Sequence, residues 1–372
     1  MTLGFLHWTT APGALILTVG ASLVGLYTFD RFLANVEQSE LQREARQAYR
    51  DGRADLRAGK PQEAVSRLQH AYSLVRGNRN YHLAFAEALM AAGDRERAEA
   101  NLRDALARDS NDGRANLLMA RLMAGEGRSG DANAYYHRAI YGVWHDDAPG
   151  NRLQTRLELA DYLARQNRPQ ELLSELLILE ERARQDPALA RRVAQLFLNA
   201  GSPSRAVSAY RDILRQNDDD IAAWQGIGEA ELRTGDFRAA QAALLNALRR
   251  DPSNPEVGKQ LQFVNSLEQM DPSPRRLASR EKYRRSLALL QTARNSLTTK
   301  CARAVSEEDA RPALEQADAA LASKPPVQVT NEVSESLISL AEQLWSAETR
   351  ACPAVIQPDD PLALLMDKLK AQ

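Results

Sequence analysis

Residues that enzymes and metal sites depend on are scarce in this chain. Its 372 residues include five histidines and two cysteines. The sequence has no HExxH, GxxxxGK[ST], GxSxG or paired CxxC motif, which are local signatures of zinc proteases, phosphate loops, serine hydrolases and thiolate sites. We therefore expect no catalytic activity, no bound metal and no cofactor.

The chain also lacks an excess of positive charge and is poor in aromatic residues. Lys and Arg number 48 against 49 Asp and Glu, which leaves a net charge of −1. Such a balance argues against capture of nucleic acid by bulk electrostatics. Aromatic residues make up 6% of the chain, while Ala, Leu, Arg, Glu and Gln are abundant, which favours helix. The composition predicts a folded all-α protein.

A regular spacing of turn residues organises the middle of the chain. Glycine or asparagine separates alanine-rich helical stretches at Gly59, Gly93, Gly127, Asn167, Gly201 and Gly235. The interval is 34 residues within each group of three, and 40 residues from Gly127 to Asn167. A fixed period of this length predicts an array of helix pairs.

One repeat shows the pattern most completely. In the segment Ile221–Asn254, Trp224 is the fourth residue, Gly228 the eighth, Ala240 the twentieth and Pro252 the thirty-second. This sequence resembles the tetratricopeptide repeat (TPR) family. The small residues at positions 8 and 20 let the two helices of a repeat approach closely.

The resemblance implies an all-α chain containing a right-handed α-solenoid of about six TPR helix pairs. Repeats 1–3 are assigned to residues 45–146 and repeats 4–6 to residues 153–254. Position 20 is alanine in every repeat except the fourth, where it is Leu172. We expect this repeat to pack more loosely or at a different angle.

An aromatic and acidic corner, assigned to residues 147–152, separates the two groups of repeats. It falls in the segment YGVWHDDAPGN, which includes Tyr141, Trp144 and His145. One hypothesis is a metal site formed by His145 with the two aspartates after it, but adjacent residues rarely converge on one ion. We expect these side chains to cover the exposed face between repeats and to offer a side contact.

The N-terminus predicts a membrane anchor. No charged residue occurs from Thr2 to Phe29, and Leu15 to Phe29 is almost wholly apolar. A span of about 20 such residues fits a bilayer core. We therefore expect a transmembrane helix at 1–31 that contacts lipid through residues 8–29, followed by a helical stalk at 32–44. A cleaved signal peptide is the alternative, although no Lys or Arg precedes the apolar run.

Two features disagree about the orientation of such an anchor. Arg31, Arg43 and Arg46 follow the span, which favours a cytoplasmic array. The two cysteines favour an oxidising compartment. We expect a single-pass protein of a bacterial inner membrane with its repeats in the periplasm, and the cytoplasmic orientation stays open.

The remaining residues, 255–372, predict capping helices and a three-helix bundle. An up-down-up bundle would bring Cys301 and Cys352 to one end, where they could form a disulfide. Two unrelated free thiols are the alternative. The three helices are expected at 277–303, 307–323 and 328–350.

The resemblance also implies a partner-binding groove, because the first helices of TPR pairs usually line the concave face. Positions 5, 9 and 12 of these helices supply the candidate residues Tyr49, Arg53, Leu83, Glu87, Met90, Leu117, Arg121, Leu157 and Asp161. The groove lacks the Lys and Asn clamp that some TPR proteins use for C-terminal carboxylates. Its early repeats are the more apolar.

These observations predict a non-catalytic scaffold that is anchored in a membrane and binds partner proteins in the groove. The partners are expected among membrane or envelope proteins. The alternative is a permanently assembled accessory subunit of a larger membrane complex.

Overall fold

The computed structural model describes residues 11–301, 310–355 and 360–370. Within these ranges the chain forms seventeen α-helices, and its only β pairing is one isolated bridge. The molecule divides into two compact units, Met1–Leu159 and Ala160–Gln372. The all-α prediction and the helix-pair repeats are therefore confirmed.

The first unit consists of three helix pairs and the beginning of a fourth. Its helices are α1 (Ala11–Arg57), α2 (Pro61–Leu74), α3 (Arg79–Ala91), α4 (Arg95–Arg108), α5 (Gly113–Gly125), α6 (Ser129–Tyr141) and the first part of α7 (Ala148–Arg165). Asp and Asn side chains cap several of these helices. Asp94, for example, accepts a hydrogen bond from the amide of Arg97 at 3.2 Å.

The second unit continues the pairs and ends in a helical bundle. Its remaining helices are α8 (Pro169–Ala183), α9 (Pro187–Asn199), α10 (Pro203–Gln216), α11 (Ile221–Thr234), α12 (Phe237–Arg250), α13 (Pro255–Met270), α14 (Ser279–Lys300), α15 (Arg311–Ala322), α16 (Asn331–Ala351), a 3₁₀ turn at Pro353–Val355, and α17 (Pro361–Lys370). Proline in the first turn of α8, α9 and α10 fixes where each helix begins.

All six turn residues of the period adopt a left-handed backbone. The φ angles are 69° at Gly59, 79° at Gly93, 74° at Gly127, 52° at Asn167, 66° at Gly201 and 77° at Gly235. A β-carbon disfavours this region, and asparagine tolerates it better than most residues. This requirement explains why glycine or asparagine recurs with the repeat.

The close approach of paired helices depends on the small residues at position 8. A β-carbon on Gly52 would lie 2.6 Å from Cγ of Leu68, and one on Gly228 would lie 2.8 Å from Cγ of Leu244. Leu172, the exception at position 20, is fully buried. The larger side chain is thus accommodated inside the fourth pair.

The predicted transmembrane helix at 1–31 is wrong. Among the described residues, no helix combines enough length and apolar character to cross a membrane. The described part of the apolar stretch ends at Phe29, where Asp30 and Arg31 follow, and residues 1–10 of the predicted anchor lie outside the described residues. The inner-membrane assignment is wrong as well, whereas lipid contact through residues 8–29 is not shown. Helix α1 instead runs unbroken from Ala11 to Arg57, across the stalk predicted at 32–44.

The corner between the repeat groups lies earlier than expected. The irregular backbone covers residues 142–147, whereas residues 148–152, most of the predicted 147–152 segment, already belong to α7. Alanine and proline at 148 and 149 can occupy a first helical turn, so the helix begins sooner than the sequence pattern indicated.

The C-terminal bundle contains one helix more than the sequence predicted. Helices α14, α15 and α16 correspond to the three expected ones, and α17 follows them. The predicted break between the first two of them, at 304–306, lies outside the described residues. Leu362, Leu365 and Met366 of α17 are buried, which places this helix in the core of the second unit.

Cys301 and Cys352 meet at one end of this bundle. They form a disulfide with a Cα–Cα distance of 5.9 Å, joining the ends of α14 and α16. Cys301 is buried.

Candidate binding groove of the first unit

Helices α1, α3 and α5 carry charged side chains on the same face at position 9 of their repeats. Arg53 forms an ion pair with Glu87. Arg114, near the start of α5, donates from Nη2 to Oε1 of Glu87 at 2.6 Å. Two guanidinium groups from the first and third repeats therefore share one carboxylate from the second.

A second charged group extends this face. Arg121 donates to both carboxylate oxygens of Glu158, at 2.8 and 2.7 Å, and the hydroxyl of Tyr136 donates to Glu158 at 2.9 Å. The hydrogen bonds to Glu158 raise the pKa of Arg121 further above its usual value. This bidentate geometry holds the guanidinium in a fixed plane.

Arg79 and Asp112 form a third pair at the edge of the face. Nη2 of Arg79 donates to Asp112 at 2.6 Å, and the amide of Ala115 donates to the same carboxylate at 2.9 Å. Burial works to raise the pKa of Asp112, but these hydrogen bonds outweigh it, so the pKa lies below its ordinary value. Asp112 thus stays ionised although it is buried.

Residues 142–147, which we call the insertion, dock beside the turn between α4 and α5. The amide of Val143 donates to the carbonyl of Asn111 at 2.7 Å, and the amide of Gly113 donates to the carbonyl of Val143 at 2.9 Å. Trp144 then lies against Gly113, where a β-carbon would come within 2.5 Å of the indole nitrogen. The indole N–H donates to the carbonyl of Ala139 at 2.8 Å. These contacts fix the insertion at the edge of the groove.

The face and the insertion together border an open cavity of about 400 Å³. We call it the arginine groove. Its lining includes four arginines and two acidic residues, together with leucines of α5 and residues of the insertion and the start of α7. The charged members are Arg53, Arg79, Arg114, Arg121, Glu87 and Asp146. The site can offer several guanidinium donors beside an indole and apolar side chains.

The structure brings together some of the predicted groove residues and buries others. Arg53, Glu87, Leu117 and Arg121 line the cavity. Leu83 and Leu157 are only 1% and 3% exposed and do not line the cavity. The early repeats therefore present a charged wall rather than the apolar one that the sequence suggested.

Three further predicted residues lie apart from the cavity. Tyr49 is half-buried and packs against Tyr81, with ring centroids 4.9 Å apart and ring planes tilted by 35°. Met90 is half-buried in α3. Asp161 belongs to the second unit, where it pairs with Arg192. None of these three lines the arginine groove.

Sequence reasoning missed two arginines of the groove. Arg114 occupies position 2 of the third repeat and Arg79 position 1 of the second. Position 2 faces the same side as positions 5 and 9, so the location of Arg114 in the groove could have been predicted from its repeat position. The location of Arg79 could not, because it depends on the turn that holds Asp112.

The three residues proposed for a side contact have different surroundings. Trp144 and His145 line the arginine groove. Tyr141 is 70% exposed, and the guanidinium of Arg156 lies 5.6 Å from its ring centroid. The aromatic corner thus has one buried edge toward the groove and one face toward solvent.

His145 also approaches two aspartates. Ligand atoms of His145, Asp109 and Asp112 lie within 4.8 Å of one another. Asp112 already accepts hydrogen bonds from Arg79 and Ala115, which makes it a poor ligand for a cation. Asp146 and Asp147, the neighbours considered in the sequence, do not belong to this cluster.

Comparison with known proteins agrees with the helix-pair architecture. A family model described as Tetratricopeptide repeat matches residues 55–122 and 197–261, one segment in each unit. The chain therefore carries tetratricopeptide repeats, a class of protein-interaction modules that are generally non-catalytic. None of the curated proteins matches the sequence.

Solved structures of TPR proteins are also similar to the chain. PilF of Pseudomonas aeruginosa shares 18% identity over 60% of this chain and 98% of its own, with a TM-score of 0.40. YrrB, a TPR protein with an unusual peptide-binding site, shares 17% over 52% of this chain and 97% of its own, also with a TM-score of 0.40. Yeast Tom70 shares 13% over 90% of this chain and 61% of its own, with a TM-score of 0.39. Similarities this weak do not indicate what this chain binds.

Proposed function

We propose that the chain is a non-catalytic scaffold that binds a segment of a partner protein in the arginine groove. The observation that carries the proposal is the open cavity itself, bordered by three repeats and by the insertion at one edge. Grooves of this kind in helical arrays accept extended or helical segments of other proteins.

The charges of the groove favour an acidic segment. Arg53 and Arg114 share the single carboxylate of Glu87, so their guanidinium groups retain donors that this carboxylate does not use. Asp112 and Glu158 neutralise the other two arginines from outside the cavity lining. An Asp or Glu side chain of the partner would supply a second acceptor to Arg53 and Arg114.

The apolar part of the groove adds a second requirement for the ligand. Leu117, Leu118 and Trp144 border the charged group. A partner segment with an aliphatic residue next to its acidic one would satisfy both parts. The ion pair would fix the register, and contact with Trp144 would add apolar burial, since Leu117 and Leu118 are themselves only 9% and 3% exposed.

Binding of defined peptides tests this function. We expect Arg114→Gln to weaken binding of an acetylated, amidated peptide of alternating leucine and glutamate by about tenfold or more, because the variant loses a charge-assisted hydrogen bond. Isothermal titration calorimetry measures the change. The matching leucine–glutamine peptide should bind the wild type more weakly than the glutamate peptide does.

Arg103→Gln is the control variant. Arg103 is an exposed arginine of α4 that pairs with Glu99 at 2.6 Å and does not line the groove. Its loss should leave peptide binding unchanged. Equal binding of both peptides, or equal loss in both variants, would reject the arginine groove as an acidic-peptide site.

A second candidate function is that of a permanently assembled accessory subunit. An apolar depression of about 580 Å³ in the second unit favours it. Leu214, Ile227, Ala239, Ala242 and Ala243 line this depression, which a neighbouring subunit could fill. Purification from the native source under high salt distinguishes the two candidates, since a permanent subunit would retain partners at fixed stoichiometry.

A further inference from the structure

The first part of α1 projects from the repeats with its apolar side chains exposed. From Val19 onward, where the side chains of α1 are described, the first fully buried residue is Ala45. Before it, a series of large apolar side chains is between 37% and 66% exposed: Val19, Leu23, Val24, Leu26, Tyr27, Phe29, Phe32, Leu33, Val36 and Leu41. Exposed apolar surface of this extent usually marks a place where another molecule packs.

Part of this surface follows a heptad repeat. Val19, Leu26 and Leu33 are seven residues apart and take the a position, and Ser22, Phe29 and Val36 take the d position. The alternating steps of three and four residues place all six on one seam of the helix. The seam continues past Asp30 and Arg31 and ends where Glu40 and Arg43 take the next a and d positions. A stripe that passes through charged residues is typical of helix–helix packing.

We propose that residues 19–36 of α1 form a parallel two-stranded coiled coil with a second copy of this chain. The inference is independent of the proposed function, because no residue of this seam lines the arginine groove. In this arrangement Leu26, Phe29 and Leu33 pack against the same residues of the second copy. Side chains at the a and d positions of one helix pack against those of the other across such a dimer.

The charged residues beside the seam favour the parallel orientation. Asp30 and Glu37 occupy e positions, while the g positions are Gly25, Phe32 and Ser39. In a parallel pair each e position faces a g position, so neither acidic residue meets a like charge. In an antiparallel pair e faces e, which would bring Asp30 and Glu37 of the two chains together.

The buried area is sufficient for a stable pair. Each exposed Leu, Val or Phe of the seam can bury on the order of 100 Å². Together with Leu23 and Phe32 on its flanks, the seam would bury about 1,200 Å² over both chains, comparable with the smaller stable protein interfaces. Val24 and Tyr27 lie outside the seam and would remain exposed.

Two double substitutions, one on the seam and one off it, test the seam at residues of similar exposure. Leu26 and Phe29, on the seam, are 66% and 60% exposed, and Val24 and Tyr27, off the seam, are 63% and 62% exposed. We expect the full chain to sediment at twice its monomer mass. Leu26→Ser combined with Phe29→Ser should raise the dissociation constant by about 100-fold or more. Val24→Ser combined with Tyr27→Ser should leave the dimer intact.

These variants should not disturb the fold, because they precede the first packed residue of α1, and circular dichroism can verify this. A wild-type chain that sediments as a monomer would overturn the proposal. Equal dissociation of the two double variants would overturn it as well, since that would indicate unspecific apolar association.

Cysteine cross-linking tests the orientation. Cys301 and Cys352 are already bonded to each other, so a single added cysteine is the reactive thiol. In a parallel pair, Leu33→Cys should form a disulfide between copies under mild oxidation. Gln38→Cys, at an f position on the outer face, should not. Equal cross-linking of the two variants, or none in the first, would reject the parallel seam.

Discussion

Glu348 is the clearest case in which a single side chain conflicts with its surroundings. It lies in α16 and is 1% exposed. The hydroxyl of Ser296 donates to its Oε1 at 2.8 Å, while Oε2 is buried without a hydrogen-bond partner. Burial raises the pKa of Glu348, against the opposing effects of Ser296 and Lys300. The folded protein therefore favours the neutral acid.

Replacing this carboxyl should change the pH dependence of stability. Because the folded pKa lies above the unfolded value near 4.5, the contribution of Glu348 is favourable below that value and is lost as the pH rises through the folded pKa. We expect Glu348→Gln to be about 1 kcal/mol more stable than the wild type at pH 8 and to lose that advantage near pH 4. Urea unfolding at several pH values measures the difference.

Glu342→Gln provides the comparison for this measurement. Glu342 lies in the same helix and is half-buried rather than enclosed. Its substitution makes the same chemical change at a less enclosed position of the helix. A constant difference for Glu348→Gln would show that burial of its charge has no part in the stability of the bundle.

At the scale of the element, the turn within each repeat is the most sharply defined feature. Gly127 has a φ of 74° and Gly130, three residues later, lies in α6. Neither would bring a β-carbon within 4 Å of another atom. The two glycines thus differ in backbone conformation and not in available space.

Alanine at these two positions should act in opposite directions. Gly127→Ala forces a β-carbon into the left-handed region and should cost about 1 kcal/mol. Gly130→Ala removes backbone freedom from a helical position and should stabilise by about 0.5–1 kcal/mol. Thermal unfolding of the two variants tests the pair. Shifts of the same sign would contradict the backbone explanation.

The repeats could be predicted from the sequence because each turn imposes the same local constraint. A glycine or asparagine is needed wherever φ is positive, and small residues are needed where paired helices touch. These requirements recur with the period and are visible without a structure. The C-terminal helix α17 follows no such period, so only its burial in the structure reveals its place.

The groove was less predictable than the repeats. Arg53, Glu87 and Arg121 follow from repeat position, whereas Arg79 and Trp144 depend on contacts between distant turns. The prediction of a membrane anchor was wrong for a different reason. An apolar sequence indicates a surface against which another molecule packs, but it does not identify that molecule.

At the scale of the whole molecule, the disulfide between Cys301 and Cys352 constrains the end of the second unit. It closes a loop with a sequence separation of 51 residues. Restricting the unfolded chain over such a loop is worth roughly 4 kcal/mol in the chain-entropy model. We expect reduction with dithiothreitol to lower the urea midpoint of the second unit accordingly.

A variant without both cysteines provides the control. The double substitution Cys301→Ser and Cys352→Ser should match the reduced wild type and show no response to dithiothreitol. Fluorescence of Trp345, which is buried in the bundle, can follow the transition. Unchanged stability on reduction would mean that the bridge does not support the bundle.

The insertion has a consequence for how the groove could diversify. Its attachment to the repeats uses backbone atoms of Asn111, Gly113 and Val143 and the indole of Trp144, so most of its other side chains are not needed to hold it. Gly142 is an exception, because a β-carbon there would lie 2.7 Å from the carbonyl oxygen of Asn111. Residues such as His145 and Asp146 can therefore be exchanged without altering the path of the chain. Substitutions in this short segment can thus change which ligands would fit the groove, while the helices beneath it stay the same.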